Sequence, residues 1–165
     1  MPIFYSGQTG QEKIKSTFDF GTLDTVAYST GDILTSTAIA VPNASRFAGD
    51  TGTLLKLILN ESTSGTLQKP ALRVWIFGGS LTPAARNAPQ AFTTAQLNTY
   101  VGYIDIANAS WINGGTGAAI VEASVSIPYG LQTVSTSLYL VPEVRAAYTF
   151  HSTGKITGTV ILAID

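Results

Sequence analysis

The chain has 165 residues, 45% of them apolar and only 12% charged, with nine basic and ten acidic side chains and a formal net charge of −1. That length suits one domain with a sizeable core, and no basic field exists to meet a nucleic-acid backbone or an anionic membrane surface. The absence of cysteine excludes disulfides, thiolate metal sites and a cysteine nucleophile, and no apolar run approaches the ~20 residues that span a bilayer.

Residues 2–5 form a short apolar arm, and residues 6–11 a link that contains Gly7 and Gly10. Ile3, Phe4 and Tyr5 make this arm either a first edge strand or an extension that docks on a neighbour. The flexible link favours the extension, so residues 1–10 read as an arm and residues 11–165 as a single domain. The N-terminus has no basic region followed by a long apolar run. The chain is therefore expected to be made and folded in a cytoplasm.

Residues 13–20 alternate, with Ile14, Phe18 and Phe20 on one face and Lys13, Lys15 and Asp19 on the other, which predicts a strand. Residues 24–32 are rich in turn formers and lead into a predicted strand over 33–41, followed by a polar loop over 42–52. Residues 54–77 are the most apolar stretch. Leu55, Leu57 and Leu59 fall on one face, opposed to Leu54, Lys56, Ile58 and Asn60. After a polar loop, Leu72, Val74 and Ile76 alternate with Arg73, Trp75 and Phe77. This predicts a strand pair in the middle of a sheet. Pro70 stands at the start of its second strand, where a missing N–H does least harm.

Residues 78–94 form the longest irregular segment. Residues 92–98 are the one helix candidate, capped by Thr93 or Thr94 and too short to stand without packing. A strand is predicted over 101–107, with Ile104 and Ile106 opposed to Val101, Tyr103 and Asp105. A loop over 108–116 carries Trp111 among Asn and Gly. Further strands are predicted over 118–127, stopped by Pro128, and over 137–142, with a short extended piece at 129–131 between them. Residues 146–150 and 155–164 read as a hairpin turned at Ser152, Thr153 and Gly154. About ten short strands at this spacing, without strand–helix–strand alternation, predict an all-β fold. The architecture expected is an antiparallel, jelly-roll-like β-sandwich with at most one short helix.

No constellation for catalysis stands out. His151 is the only histidine and falls at the predicted hairpin tip, where an exposed loop role is expected. Asp19 with Asp105, or Glu61 with Glu122, would need to meet on facing strands to act as a carboxylate pair. Asp24 and Asp32 flank a turn and suit Asx-turn or strand-capping roles. Asn43, Asn60 and Asn108 open chance matches to the glycosylation pattern. Trp111 admits three readings: a sugar-stacking ring, an interface anchor, or a ring folded back over the end of the sandwich. No catalytic residue, metal or cofactor is expected.

The run of Asp24, Thr25, Ala27, Tyr28, Gly31 and Asp32 (D-T-x-A-Y-x-x-G-D) resembles a stretch of small virion structural proteins of tailed bacteriophages. In those an apolar strand like 72–77 follows, then a loop with Asn87-Ala88 and Ala91-Phe92. Strands like 101–104, 138–141 and 159–162 come after it. The resemblance implies a head decoration, or cement, protein: a β-sandwich on the outer capsid surface that binds between major capsid protein subunits. It implies no catalytic residue. A homotrimer would match the local three-fold axes of a shell. Ile3, Phe4, Tyr5 and Trp111 are the candidate contacts to a subunit or to the capsid. The alternative is a carbohydrate-binding sandwich of a phage tail or surface protein, using Trp111 and nearby Asn side chains. Because the carboxylates are scattered, thermal melting is expected to be unchanged by EDTA, and a fall of several degrees would reveal a calcium site.

Overall fold

Alternation decides which face of a strand turns inward, and pairing decides where the strand lies. The computed structural model describes residues 12–165. The arm expected over residues 1–10, with Ile3, Phe4 and Tyr5, lies outside the described residues. The elements are β1 (Glu12–Thr22), β2 (Ala27–Tyr28), β3 (Ile39–Val41), β4 (Thr51–Ser62), β5 (Leu72–Phe77), α1 (Thr94–Leu97), β6 (Tyr100–Ile106), β7 (Ile112–Gly115), β8 (Ala118–Gly130), β9 (Leu138–Val144), β10 (Tyr148–Thr149) and β11 (Lys155–Ile164). One sheet has the order β1-β11-β4-β8-β7, the other β3-β9-β5-β6, and β10 pairs with β2 as a separate ribbon.

With the short β2, β7 and β10 set aside, the eight remaining strands are nested. β1 pairs with β11, β3 with β9, β4 with β8 and β5 with β6, all antiparallel. The chain is thus one long hairpin folded over into two layers, the strand order of a jelly roll. The layers meet at both sides, where β1 lies against β3 and β6 against β8. This is the all-β antiparallel sandwich that the alternation predicts.

The core lies between the layers. β1 contributes Phe18 and Phe20, β4 contributes Leu54, Leu57 and Leu59, β5 contributes Leu72, Val74 and Ile76, and β11 contributes Ile156, Val160 and Leu162. Gly158 faces Phe18 across the ladder, and a Cβ there would collide with the Phe18 Cζ. A smaller cluster of Ile33, Phe77 and Val141 is covered by Leu81, Ala84 and Phe92 from the long segment 78–99.

Several sequence expectations change. The two strands of residues 54–77 do not pair. β4 lies between β11 and β8 in one sheet, and β5 lies between β9 and β6 in the other. The crossing is fixed by Glu61, whose side chain is 1% exposed. Its carboxylate accepts from the backbone N–H groups of Gln68 at 2.8 Å and Lys69 at 2.7 Å. Lys69 adopts a left-handed φ of 50°, so the chain turns towards the other layer and does not double back. A bulge between Leu54 and Lys56 also switches faces: Leu54, not Leu55, joins Leu57 and Leu59 inside.

Residues 146–150 cannot pair with β11, because β1 and β4 occupy both of its edges. β10 pairs with β2 instead, and the Tyr28 and Phe150 rings meet edge-on at 5.5 Å. Pro128 does not end β8. It sits opposite Thr53, and β7 covers the far edge of β8 only at residues 118–120, so the missing N–H breaks no ladder bond on that side. The strand expected over 33–41 is reduced to β3. Ile33 and Leu34 bond to Ala88 and Pro142 respectively, not to one continuous partner. The loop over 108–116 contains a 3-10 turn and β7.

The helix is where the sequence puts it. Thr93 caps it in a reciprocal pair with Gln96, and the Gln96 amide donates to the Thr82 carbonyl at 2.7 Å. It buries none of its own residues, so these polar contacts hold it where apolar packing was expected. Leu57→Ala is expected to lower unfolding free energy by about 2–5 kcal/mol in denaturant titrations. Glu61→Gln, which turns an amide N–H towards the crossover donors, is expected to cost about 1–3 kcal/mol.

Candidate functional site

The residues of the D-T-x-A-Y-x-x-G-D run fold into a polar knot with segment 86–90. Asp32 accepts from the Ser29 N–H at 2.7 Å, three residues back, so it closes the turn from its far end and does not form the Asx-turn expected of it. The Ile33 N–H donates to the Ala88 carbonyl at 3.0 Å, and the Ile33 carbonyl accepts from the Asn87 N–H at 2.9 Å. With its amide nitrogen turned towards them, Asn87 donates to the Ala27 carbonyl at 3.1 Å and to Asp32 at 3.0 Å. Arg86 reaches Asp24 at 3.9 Å and the Thr22 carbonyl at 3.2 Å. The Tyr28 hydroxyl and Asp24 Oδ1 are shut away from solvent without a hydrogen bond of ordinary length. Burial first, then the Asp24 carboxyl, pushes the Tyr28 phenol well above its usual range. These groups hold the segment in place and leave no cleft chemistry.

The paired-carboxylate candidates do not meet. Asp19 and Asp105 lie on strands of different sheets, and both side chains are exposed on the outer faces, away from each other. Glu61 points into the core, whereas Glu122 faces outward and pairs with Lys56 at 2.9 Å. His151 is exposed, and its Nδ1 lies 2.9 Å from the Thr153 hydroxyl. Among the described residues, no three His, Asp or Glu side chains gather as metal ligands would.

Trp111 is 5% exposed, and its indole N–H donates to the Pro70 carbonyl at 2.9 Å. Of the three readings, the folded-back ring is the geometry found. The exposed aromatic face lies elsewhere, on β5 and β6. Arg73 forms a forked pair with Asp105 at 2.7 and 2.8 Å, with its guanidinium 4.1 Å from the centre of the Tyr103 ring and 5.2 Å from that of Trp75. Trp75 donates to Glu143 at 2.7 Å, and Glu143 also accepts from Arg145 at 2.7 Å. Tyr103 is 45% exposed and Tyr100 39%. The charges on this strip cancel, so it presents rings and not a field.

A second surface lies at the end of the sandwich where β1 begins and β11 finishes. Loops 42–50 and 131–137 are laced together there, Ala44 N–H to Thr136 O at 2.8 Å and Gly49 N–H to Ser135 O at 3.2 Å. Tyr129 donates to the Ala44 carbonyl. Burial, then the Asp165 carboxylate, pushes its phenol up to about 12. Phe47 is 71% exposed and Val134 is 87% exposed, yet both stand on firm turns. Asp50 accepts from the Phe47 N–H at 3.1 Å, and Ser45 donates to the Phe47 carbonyl at 2.6 Å. Arg46 pairs with Glu12, the first described residue. The sequence reading passed over Phe47 and Val134. A lone large apolar residue inside a Ser-, Gly- and Asp-rich loop was the signal available for Phe47.

No protein-family model matches the chain, and no curated protein matches it. Among solved structures, it is similar over its whole length to a chain of the cyanophage Pam1 capsid asymmetric unit, with 15% identity, a TM-score of 0.40 and 94% of that chain covered. It is also similar to the infectious bursal disease virus VP2 subviral particle, with 12% identity, a TM-score of 0.27 and 46% of that chain covered. At these scores neither likeness carries a conclusion about this chain's role, which rests on its own topology and surfaces.

The Arg73 hydrogen bond holds the Asp105 carboxyl below the usual aspartate range. A depressed folded-state value means that the pair contributes stability above the unfolded aspartate pKa. That contribution is lost as pH falls through the folded value. Arg73→Met is expected to return the Asp105 titration, followed by carbon-detected NMR, towards the ordinary range and to flatten the acid limb of the stability profile.

Proposed function

We propose that the chain is a structural virion protein that decorates the outer surface of a tailed-phage capsid and stabilises it by binding between major capsid protein subunits. The observation that carries this reading is the nested jelly-roll strand order, an architecture used in viral capsid and lectin domains. Fold alone does not fix function. The ordered sequence resemblance, which runs from Asp24 onward, adds weight on the virion side. The mechanism is burial of complementary surface between subunits, without chemistry. A homotrimer would match local three-fold axes of the shell, and the arm with Ile3, Phe4 and Tyr5 would reach across the subunit boundary.

A second reading is a carbohydrate-binding sandwich on a tail or surface protein. The exposed Tyr100 and Tyr103 rings, set against the half-buried Trp75, favour it, since exposed rings offer stacking faces. They take the place of the buried Trp111.

Quantitative mass spectrometry of purified virions separates the two. A copy number in the hundreds is the result expected for decoration; a handful of copies would overturn it in favour of a tail component, and none would overturn both readings. Deleting residues 2–10 is expected to leave the melting of dilute monomer nearly unchanged and to weaken trimer formation or retention on shells. Failure of the truncated chain to fold would make the arm an internal strand.

A further inference from the structure

We infer that the apolar residues 2–5 of one copy dock on the Phe47 and Val134 end of a neighbouring copy; this rests on the assembly reading above and gives the arm its receptor. Phe47 and Val134 are the two most exposed large apolar side chains among the described residues, and they stand on adjoining loops at one end. Neither is a fraying tip. Phe47 is held from both sides by Ser45 and Asp50, and the turn before Ser137 is closed by the Ser135 hydroxyl. An apolar group presented on a preorganised turn loses little entropy on docking, which is the condition of an interface anchor.

The position of Glu12 names the occupant. Arg46, the residue before Phe47, pairs with Glu12, so the segment outside the described residues leaves the body at this same end. β1 runs inward from Glu12. Residues 6–11, when extended, span about 20 Å, enough to carry residues 2–5 onto the same end of an adjacent molecule. Each copy then offers both an apolar donor and an apolar acceptor at one end, and a ring of copies satisfies all of them. Residues 2–5 carry no charged side chain, so the contact sets no charge against the Arg46–Glu12 pair or the Asp50 and Asp165 carboxylates at this end.

The chain has no cysteine, so cross-linking reads this contact without background. Full-length Tyr5→Cys is mixed with Val134→Cys under mild oxidant, with Ile112→Cys, exposed on β7 at the far end, as the control partner. The mixed Tyr5–Val134 disulfide is expected to form at least tenfold faster than the control pair, and Phe47→Ser in the Val134→Cys chain is expected to remove that advantage. Phe47 is mostly solvent-exposed, so its replacement leaves the core intact, which unchanged melting checks. Equal rates for the two pairs would overturn the inference. So would a Tyr5→Cys/Val134→Cys double variant that closes within a single chain at low concentration, since the occupant would then be the chain's own arm. Retention on shells is measured separately. A selective cross-link without shell binding would sink the decoration reading alone, and shell binding without a selective cross-link would sink this one alone.

Discussion

β11 is hydrogen-bonded along both edges, to β1 on one side and β4 on the other, and every other long pairing is nested within that arrangement. Because both of its edges are taken, residues 146–150 must find another partner, and they meet β2. Because β4 is also enclosed, by β11 and β8, neither edge of β4 is left for β5, which lies in the second layer between β9 and β6. The apolar faces of β4 and β5 then look at one another across the core instead of lying side by side. The sandwich follows from which edges are already occupied.

Polar groups police this arrangement from within. Glu61 fixes the crossover by taking two backbone N–H groups, Asp32 ties down the turn before β3, and Glu143 takes the Trp75 indole and Arg145. Each carboxylate answers donors that burial would otherwise leave unmet. At the surface, Glu12, Asp19, Asp24, Asp105 and Glu122 are each paired with a basic side chain.

Facing was legible in the sequence, and partnership was not. Leu72, Val74 and Ile76, or Ile104 and Ile106, alternate cleanly and are buried as the period requires. The same alternation fits a hairpin and a face-to-face pair equally well, so it could not say that β4 and β5 belong to different layers. The bulge at Leu55 was hidden because the run of Leu and Ile is apolar in either register. Trp111 sits in a loop dense with Asn and Gly, whose composition suggests exposure. Its burial depends on the Pro70 carbonyl, 41 residues away in sequence. The end formed by Phe47 and Val134 was invisible for the same reason, since two loops far apart in the chain build it together.

The nesting has a consequence for how the molecule comes into being. Glu12 pairs with Ile164, so the outermost contact of the first sheet joins nearly the two extremes of the described chain. During synthesis, β1 and β4 wait with bare apolar faces and open edges until β11, which separates them, has been made. Such long-range closure is slow in β-sandwiches, and unpaired edges are open to wrong partners meanwhile. Lys13 and Lys15 on the outer face of β1 give that waiting strand the charge that discourages pairing with a stranger. The molecule's weakest moment is thus the interval before its last strand arrives.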